Sequence, residues 1–218
     1  MTEKVNNIKV LKPNISDDLC IFNLSQDNIS DYDSISTALV KDCLLENHEA
    51  EKVSFKETLF KNVIFKNVSF RYCDLEDVRF ENCDLSNVDF IDSSIHRVEF
   101  INCKIVGINL SEATIRNVVF SECGGQYALF RYANCKQVIF TNCQLRFSDF
   151  QESKFSKVEF KDTDMTQCQM FGIKLKAMDF TSCEIEGMGA RIEDVYGAIV
   201  SPAQAISLSR LLGIVIKE

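Results

Sequence analysis

The stretch Arg79-Phe80-Glu81-Asn82-Cys83-Asp84-Leu85-Ser86-Asn87-Val88-Asp89-Phe90 places a large apolar residue at every fifth position. Two residues before each of these stands a small or β-branched one, Val78, Cys83 and Val88. From Val53 to Gly187 the rhythm runs without insertion or deletion, through Phe55, Phe60, Phe65, Phe70 and Leu75 to Ile95, Phe100, Ile105, Leu110, Ile115 and Phe120. It resumes after Gly125 from Phe130 to Ile185. A period of five fits neither the 3.6 of a helix nor the 2 of a strand, so each pentad must turn the chain by a fixed angle and stack on its neighbours.

A slower period says how many pentads close one turn. Phe60, Phe80, Phe100, Phe120, Phe140, Phe160 and Phe180 recur every 20 residues, as do Cys83, Cys103, Cys123, Cys143 and Cys183, with Thr163 standing in once. Asn62, Asn82, Asn102 and Asn142 form a third column. Columns of like residues arise when successive turns stack in register, so four pentads make one square coil. The expected fold is all-β, a quadrilateral β-helix with a short C-terminal α-helix.

Three regions follow: an N-terminal cap with an irregular first coil over 1–34, the repeat β-helix over 35–190, and a C-terminal helix and tail over 191–218. Val5, Ile8 and Val10 suggest a capping strand, and Leu19, Leu24 and Ile29 resemble pentad centres one residue out of phase. Such a cap would cover the exposed backbone edge at the end of the rod. Glu46-Asn47-His48-Glu49-Ala50 breaks the pattern, which predicts a bulge or distorted corner. Gly125 leaves a gap that predicts a locally irregular coil, with Tyr127 filling the space or the backbone pinching in. Ser201 is a candidate N-cap with Pro202 at the first helical position, Ala203 to Leu212 suits a helix, and Gly213 suits its C-cap.

The 218 residues carry a net charge of -8, which disfavours direct binding to nucleic acid or an anionic membrane. Eight Gly and two Pro are few for a hairpin-built sandwich or barrel. Of ten cysteines, most occupy the small inward position and read as apolar fillers. With no CxxC pair, no signal-peptide pattern and no apolar run long enough for a membrane span, a reducing cytoplasm is the expected compartment.

Runs such as Cys83-Asp84-Leu85-Ser86-Asn87 and Ser148-Asp149-Phe150-Gln151-Glu152 resemble the A(D/N)LXX unit of pentapeptide repeat proteins. The resemblance covers at least residues 35 to 190 and implies a right-handed quadrilateral β-helix. The segment from Ser201-Pro202-Ala203-Gln204-Ala205 to Leu211-Leu212-Gly213-Ile214-Val215-Ile216 is similar to the dimerising tail of the Qnr-type quinolone-resistance branch, in its loopless form. That likeness implies a homodimer through Ile206, Leu208, Leu211, Leu212, Ile214, Val215 and Ile216. It also implies a DNA-like acidic surface for DNA gyrase or topoisomerase IV.

Sorting charge by face tests the second implication. The face containing Phe55 and Leu75 carries eight cations, Lys56, Arg97, Arg116, Lys136, Lys154, Lys157, Lys174 and Lys176, against four carboxylates, Glu57, Asp74, Glu76 and Asp77. Candidate partner-binding carboxylates are Glu99, Glu122, Glu159, Asp162 and Asp179 on one flank, with Asp89, Asp92, Glu112, Asp149 and Glu152 opposite. A duplex presents one charge per about 1.7 Å, so this is a one-sided imitation at most. The basic column offers an alternative contact for an acidic partner or a phosphate. His48 and His96 lie in different coils, and no nucleotide loop or metal-spaced cluster is present, so no catalysis, cofactor or metal is expected. The expected function is that of a non-catalytic binding scaffold, a topoisomerase modulator or, alternatively, an interaction module for an unrelated protein.

Overall fold

The computed structural model describes residues 8–23 and 29–217 and is a β-solenoid with one short C-terminal helix. Its coils pair in parallel at a spacing of 20 residues, with Phe55 beside Leu75, Leu75 beside Ile95, and Ile95 beside Ile115. One sheet covers two adjacent sides of the square. Its main strands are β5 (Ser54–Lys61), β7 (Asp74–Glu81), β8 (Ser94–Ile101), β9 (Thr114–Ser121), β10 (Asn134–Thr141) and β11 (Lys154–Lys161). The other two sides begin with β4 (Leu44–Glu49) on β6 (Ile64–Ser69) and continue as single bridges, Asp84 to Lys104 and Asp89 to Asn109 among them.

The turning angle has a backbone cause. From Thr37 to Gly187 the residue two after the pentad centre has positive φ, Ser182 excepted, for example Asn62 (54°), Asn82 (55°), Asn102 (50°) and Asn142 (52°). Left-handed backbone costs most residues about 1–2 kcal/mol and Asn or Asp less, which accounts for the asparagine column. These side chains also bond along the rod axis, Asn62 Nδ2 to Asp42 Oδ1 at 2.8 Å and Asn102 Nδ2 to Asn82 Oδ1 at 2.8 Å.

Inside, the expected columns are present. Rings of Phe80, Phe100, Phe120 and Phe140 stack at 4.7–4.9 Å within 6° of parallel. The stacked rings and the flanking small residues form one continuous buried apolar core that holds the coils together. Cys83, Cys103, Cys123 and Cys143 are buried, each thiol donating to a phenylalanine carbonyl of the preceding coil at 3.4–3.5 Å. All ten cysteines are free.

Three local expectations change. No bulge forms at Glu46–Ala50: β4 pairs in register, His48 beside Val68, and Ala50 is simply a small buried centre. Gly125 sits in a regular coil, its amide 2.7 Å from Gln144 O. The gap is filled from above and below, since a Cβ there would lie 2.9 Å from Leu145 Cδ2 and 3.1 Å from Ile105 Cγ1. Tyr127 faces solvent instead and stacks on Phe147 at 5.1 Å.

The third change concerns the N-terminus. Val5 and Leu24 lie outside the described residues, and Ile8 and Val10 are not in a strand. Residues 8–16 run along one flank of the rod as a strap. Gln137 Nε2 donates to Lys9 O at 2.9 Å, Leu11 N–H to Asn117 Oδ1 at 3.2 Å, and Asn14 N–H to Asp77 Oδ1 at 2.8 Å. The end coil is covered by β1 (Cys20–Ile21), which pairs with β3 (Ala38–Lys41).

Candidate interaction surfaces

Cross-coil ion pairs decide which surface charges are available to a partner. Arg79 holds the buried Glu99 at 2.6 Å, Arg131 holds Asp149 at 2.5 Å, Arg71 meets Asp89 at 3.2 Å, and Arg191 meets Glu152 at 2.8 Å. Four of the ten candidate carboxylates are therefore already neutralised. Asp92, Glu112, Glu122, Glu159, Asp162 and Asp179 have no ion pair among the described residues, and they lie scattered over several coils. The structure does not gather the ten into one acidic surface.

On the basic face Arg97 is also used internally. Its guanidinium makes a two-pronged contact with Asp77, 2.6 Å to each oxygen, and reaches Glu76 at 2.7 Å. Burial works against ionising Asp77, yet Arg97 and the Asn14 amide hold its carboxyl below the usual aspartate range. The adjoining His96 has its pKa lowered by burial and then by Arg97 and Arg116, which favours a neutral ring. Arg116, Lys136, Lys154, Lys157, Lys174 and Lys176 are exposed and have no ion pair among the described residues, so the C-terminal half of this face is a cationic patch.

At the far end, Ser201 caps α1 (Pro202–Ser209) in a reciprocal box with Gln204, and a single 3-10 turn over Arg210–Leu212 ends at Gly213 with φ 71°. The same Gln204 side chain donates to Phe180 O at 2.7 Å and Cys183 O at 2.6 Å, satisfying carbonyls at the open end of the coil. Leu208 and Leu211 pack on the core. Ile206, Leu212, Ile214, Val215 and Ile216 remain exposed, Val215 at 82%.

Among the described residues no group of three or more metal-ligating side chains is gathered. Among the described residues no helix is long and apolar enough to cross a membrane. Burial pushes the thiols of Cys73, Cys135 and Cys168 up to about 12, as expected of core residues.

A model for the pentapeptide repeat region matches residues 93–169, and a model of nine pentapeptide copies matches residues 50–94, together more than half of the sequence. The chain belongs to the pentapeptide repeat family. Among solved pentapeptide repeat structures, HetL from the cyanobacterium Nostoc, involved in heterocyst differentiation regulation, is 12% identical with a TM-score of 0.50, over 78% of this chain and 90% of its own. Full-length QnrB1, a plasmid-mediated fluoroquinolone resistance protein, is 18% identical with a TM-score of 0.41, over 81% of this chain and 100% of its own. At such identities the likeness is one of fold. No curated protein matches the sequence.

Some of the ion pairs missed in the sequence had a signal there. Arg79 and Glu99, Arg97 and Asp77, Lys61 and Glu81, and Lys104 and Asp84 are all 20 residues apart. That spacing does for a square coil what four residues do for a helix.

Proposed function

We propose that this pentapeptide repeat protein is a non-catalytic, homodimeric scaffold of a reducing cytoplasm, joined through its C-terminal tail and presenting its sides to a protein partner. The observation that carries this is the tail: Ile206, Leu212, Ile214, Val215 and Ile216, five large aliphatic residues close in sequence at one end of the rod, are all exposed. Apolar residues clustered this way mark a surface that is covered in the working assembly. A second copy supplies the same patch and closes the interface by twofold symmetry.

The first partner to test is a type II topoisomerase, DNA gyrase or topoisomerase IV, because the tail sequence is the part of the chain similar to Qnr-type proteins. The acidic imitation of DNA is then local, resting on the six unpaired carboxylates rather than on all ten. In a supercoiling assay with purified gyrase, micromolar protein is expected to inhibit the enzyme or relieve its poisoning by a fluoroquinolone. Neither effect at that concentration removes the topoisomerase reading. The cationic patch favours a second reading, an interaction module for an acidic protein unrelated to topoisomerases.

A further inference from the structure

Successive coils are joined by amides that donate to the following coil, such as Phe65 N–H to Asp84 O at 2.8 Å and Phe130 N–H to Asp149 O at 2.7 Å. After β11 this stops on two sides of the square. The strand has no partner strand on its C-terminal side. Among the described residues, the amides of Phe155, Lys157 and Phe160 reach no carbonyl in the following coil, and those of Lys174 and Asp179 reach none in the preceding one. The following coil is held from its other side, by Leu175 N–H to Asp194 O at 2.9 Å and Phe180 N–H to Ile199 O at 2.9 Å. The remaining two sides stay joined, with Phe150 N–H 2.9 Å from Gln169 O and Glu152 N–H 2.8 Å from Phe171 O. In the same column of the core, Phe160 and Phe180 are 6.2 Å apart, against 4.9 Å for Phe140 and Phe160.

The separation leaves a slot whose mouth is a cavity of about 280 Å³ lined by Ser153, Lys154, Phe155, Gly172, Ile173 and Lys174. Phe155 is only partly buried there, in a column of otherwise buried centres. Lys154 and Lys174 stand at the mouth, and Lys157 and Lys176 belong to the same two coils. All four are exposed, and none is in an ion pair among the described residues.

Open amides along a strand edge, an apolar wall and unopposed lysines ask for a ligand with three properties. It must offer carbonyls at strand spacing, an apolar side chain toward Phe155 and negative charge outward. A free phosphate meets one or two donors only, and a nucleic acid brings charge without carbonyls at that spacing. We infer that the slot between β11 and residues 174–181 takes a short, extended, acidic segment of a partner protein as an added strand. The accessible edge from Lys154 to Lys157 suits about four residues at 3.3 Å each. The inference deepens the scaffold reading and requires neither dimerisation nor a topoisomerase.

The test uses the full-length protein and a fluorescein-labelled hexapeptide alternating valine with glutamate or aspartate. Fluorescence anisotropy should show saturable binding, weakened by about tenfold or more in the Lys154→Glu/Lys174→Glu double variant. Lys104→Glu, on another side, should bind as the wild type does. In the free protein the amides of Phe155 and Lys157 should exchange faster than those of Ile115 and Asn117 in β9, and the peptide should slow them. Several results overturn the inference: no binding at millimolar peptide, equal binding of a lysine-substituted peptide, or amides of Phe155 and Lys157 already as protected as those of β9. So does a single-stranded oligonucleotide that competes fully for the lysines while the two amides stay fast. None of these outcomes depends on the gyrase assay.

Discussion

Replacing Phe120 by alanine removes a ring that is fully buried and stacked at 4.7 Å on both Phe100 and Phe140, with the Phe130 ring edge-on at 6.0 Å. Coils on either side are fixed by ladder bonds along β9 and β10, so the hole has little room to collapse. The expected cost is about 3–5 kcal/mol. Tyr127→Ala is the matched control. Its ring is 57% exposed and stacks only on Phe147, so the expected cost is below about 1 kcal/mol. Phe180→Ala should fall between them, because its coil is already separated from the preceding one and can relax. Urea unfolding followed by far-ultraviolet circular dichroism reads all three as midpoint shifts at constant slope. A cost below about 1 kcal/mol for Phe120→Ala, or equal costs for Phe120 and Tyr127, would refute the stacked-column core.

Other consequences concern the strap and the thiols. The carboxyl of Asp77 has a folded pKa below its ordinary 3.8, so its contribution is present above 3.8 and is lost as pH falls through the lower folded value. Asp77→Asn should remove a charge-assisted contact worth about 1.5–3 kcal/mol; trypsin should then cut after Lys9 faster at neutral pH, Lys12 being shielded by the following Pro13, and unchanged cleavage would count against the strap. A thiol reagent should label the exposed Cys20 quickly, Cys43 more slowly, and the rest of the ten only in denaturant. Rapid labelling of Cys103 or Cys123 in the native protein would mean the ladder is not sealed.

The repeat was legible because a solenoid writes its geometry into the sequence twice, at five residues in Phe80 and Leu85 and at 20 in the Phe and Cys columns. Each signal comes from contacts between residues at constant separation. The N-terminal strap breaks that condition: Lys9 meets Gln137 across 128 residues, with one partner per coil and no period to reveal it. The slot after β11 is illegible for the opposite reason, since Phe155, Leu175 and Phe180 keep the pattern while the backbone bonds between their coils are missing on two of the four sides. Gly125 misled because the gap was assigned to its own coil, whereas the neighbours that close it, Ile105 and Leu145, are one full turn away. The tail helix and its caps, Ser201 and Gly213, were legible from local capping signals. The carboxylates were chosen by face without regard to the arginines of other coils that hold four of them, Asp89, Glu99, Asp149 and Glu152.

Whether the working unit is two rods joined at their tails is read most directly by sedimentation equilibrium of the intact chain at tens of micromolar. A mass of twice 24.8 kDa is expected, falling to 24.8 kDa in the Leu212→Glu/Val215→Glu variant with its circular dichroism unchanged. A wild-type chain that sediments as a monomer at that concentration, or a variant that stays dimeric, would contradict the account.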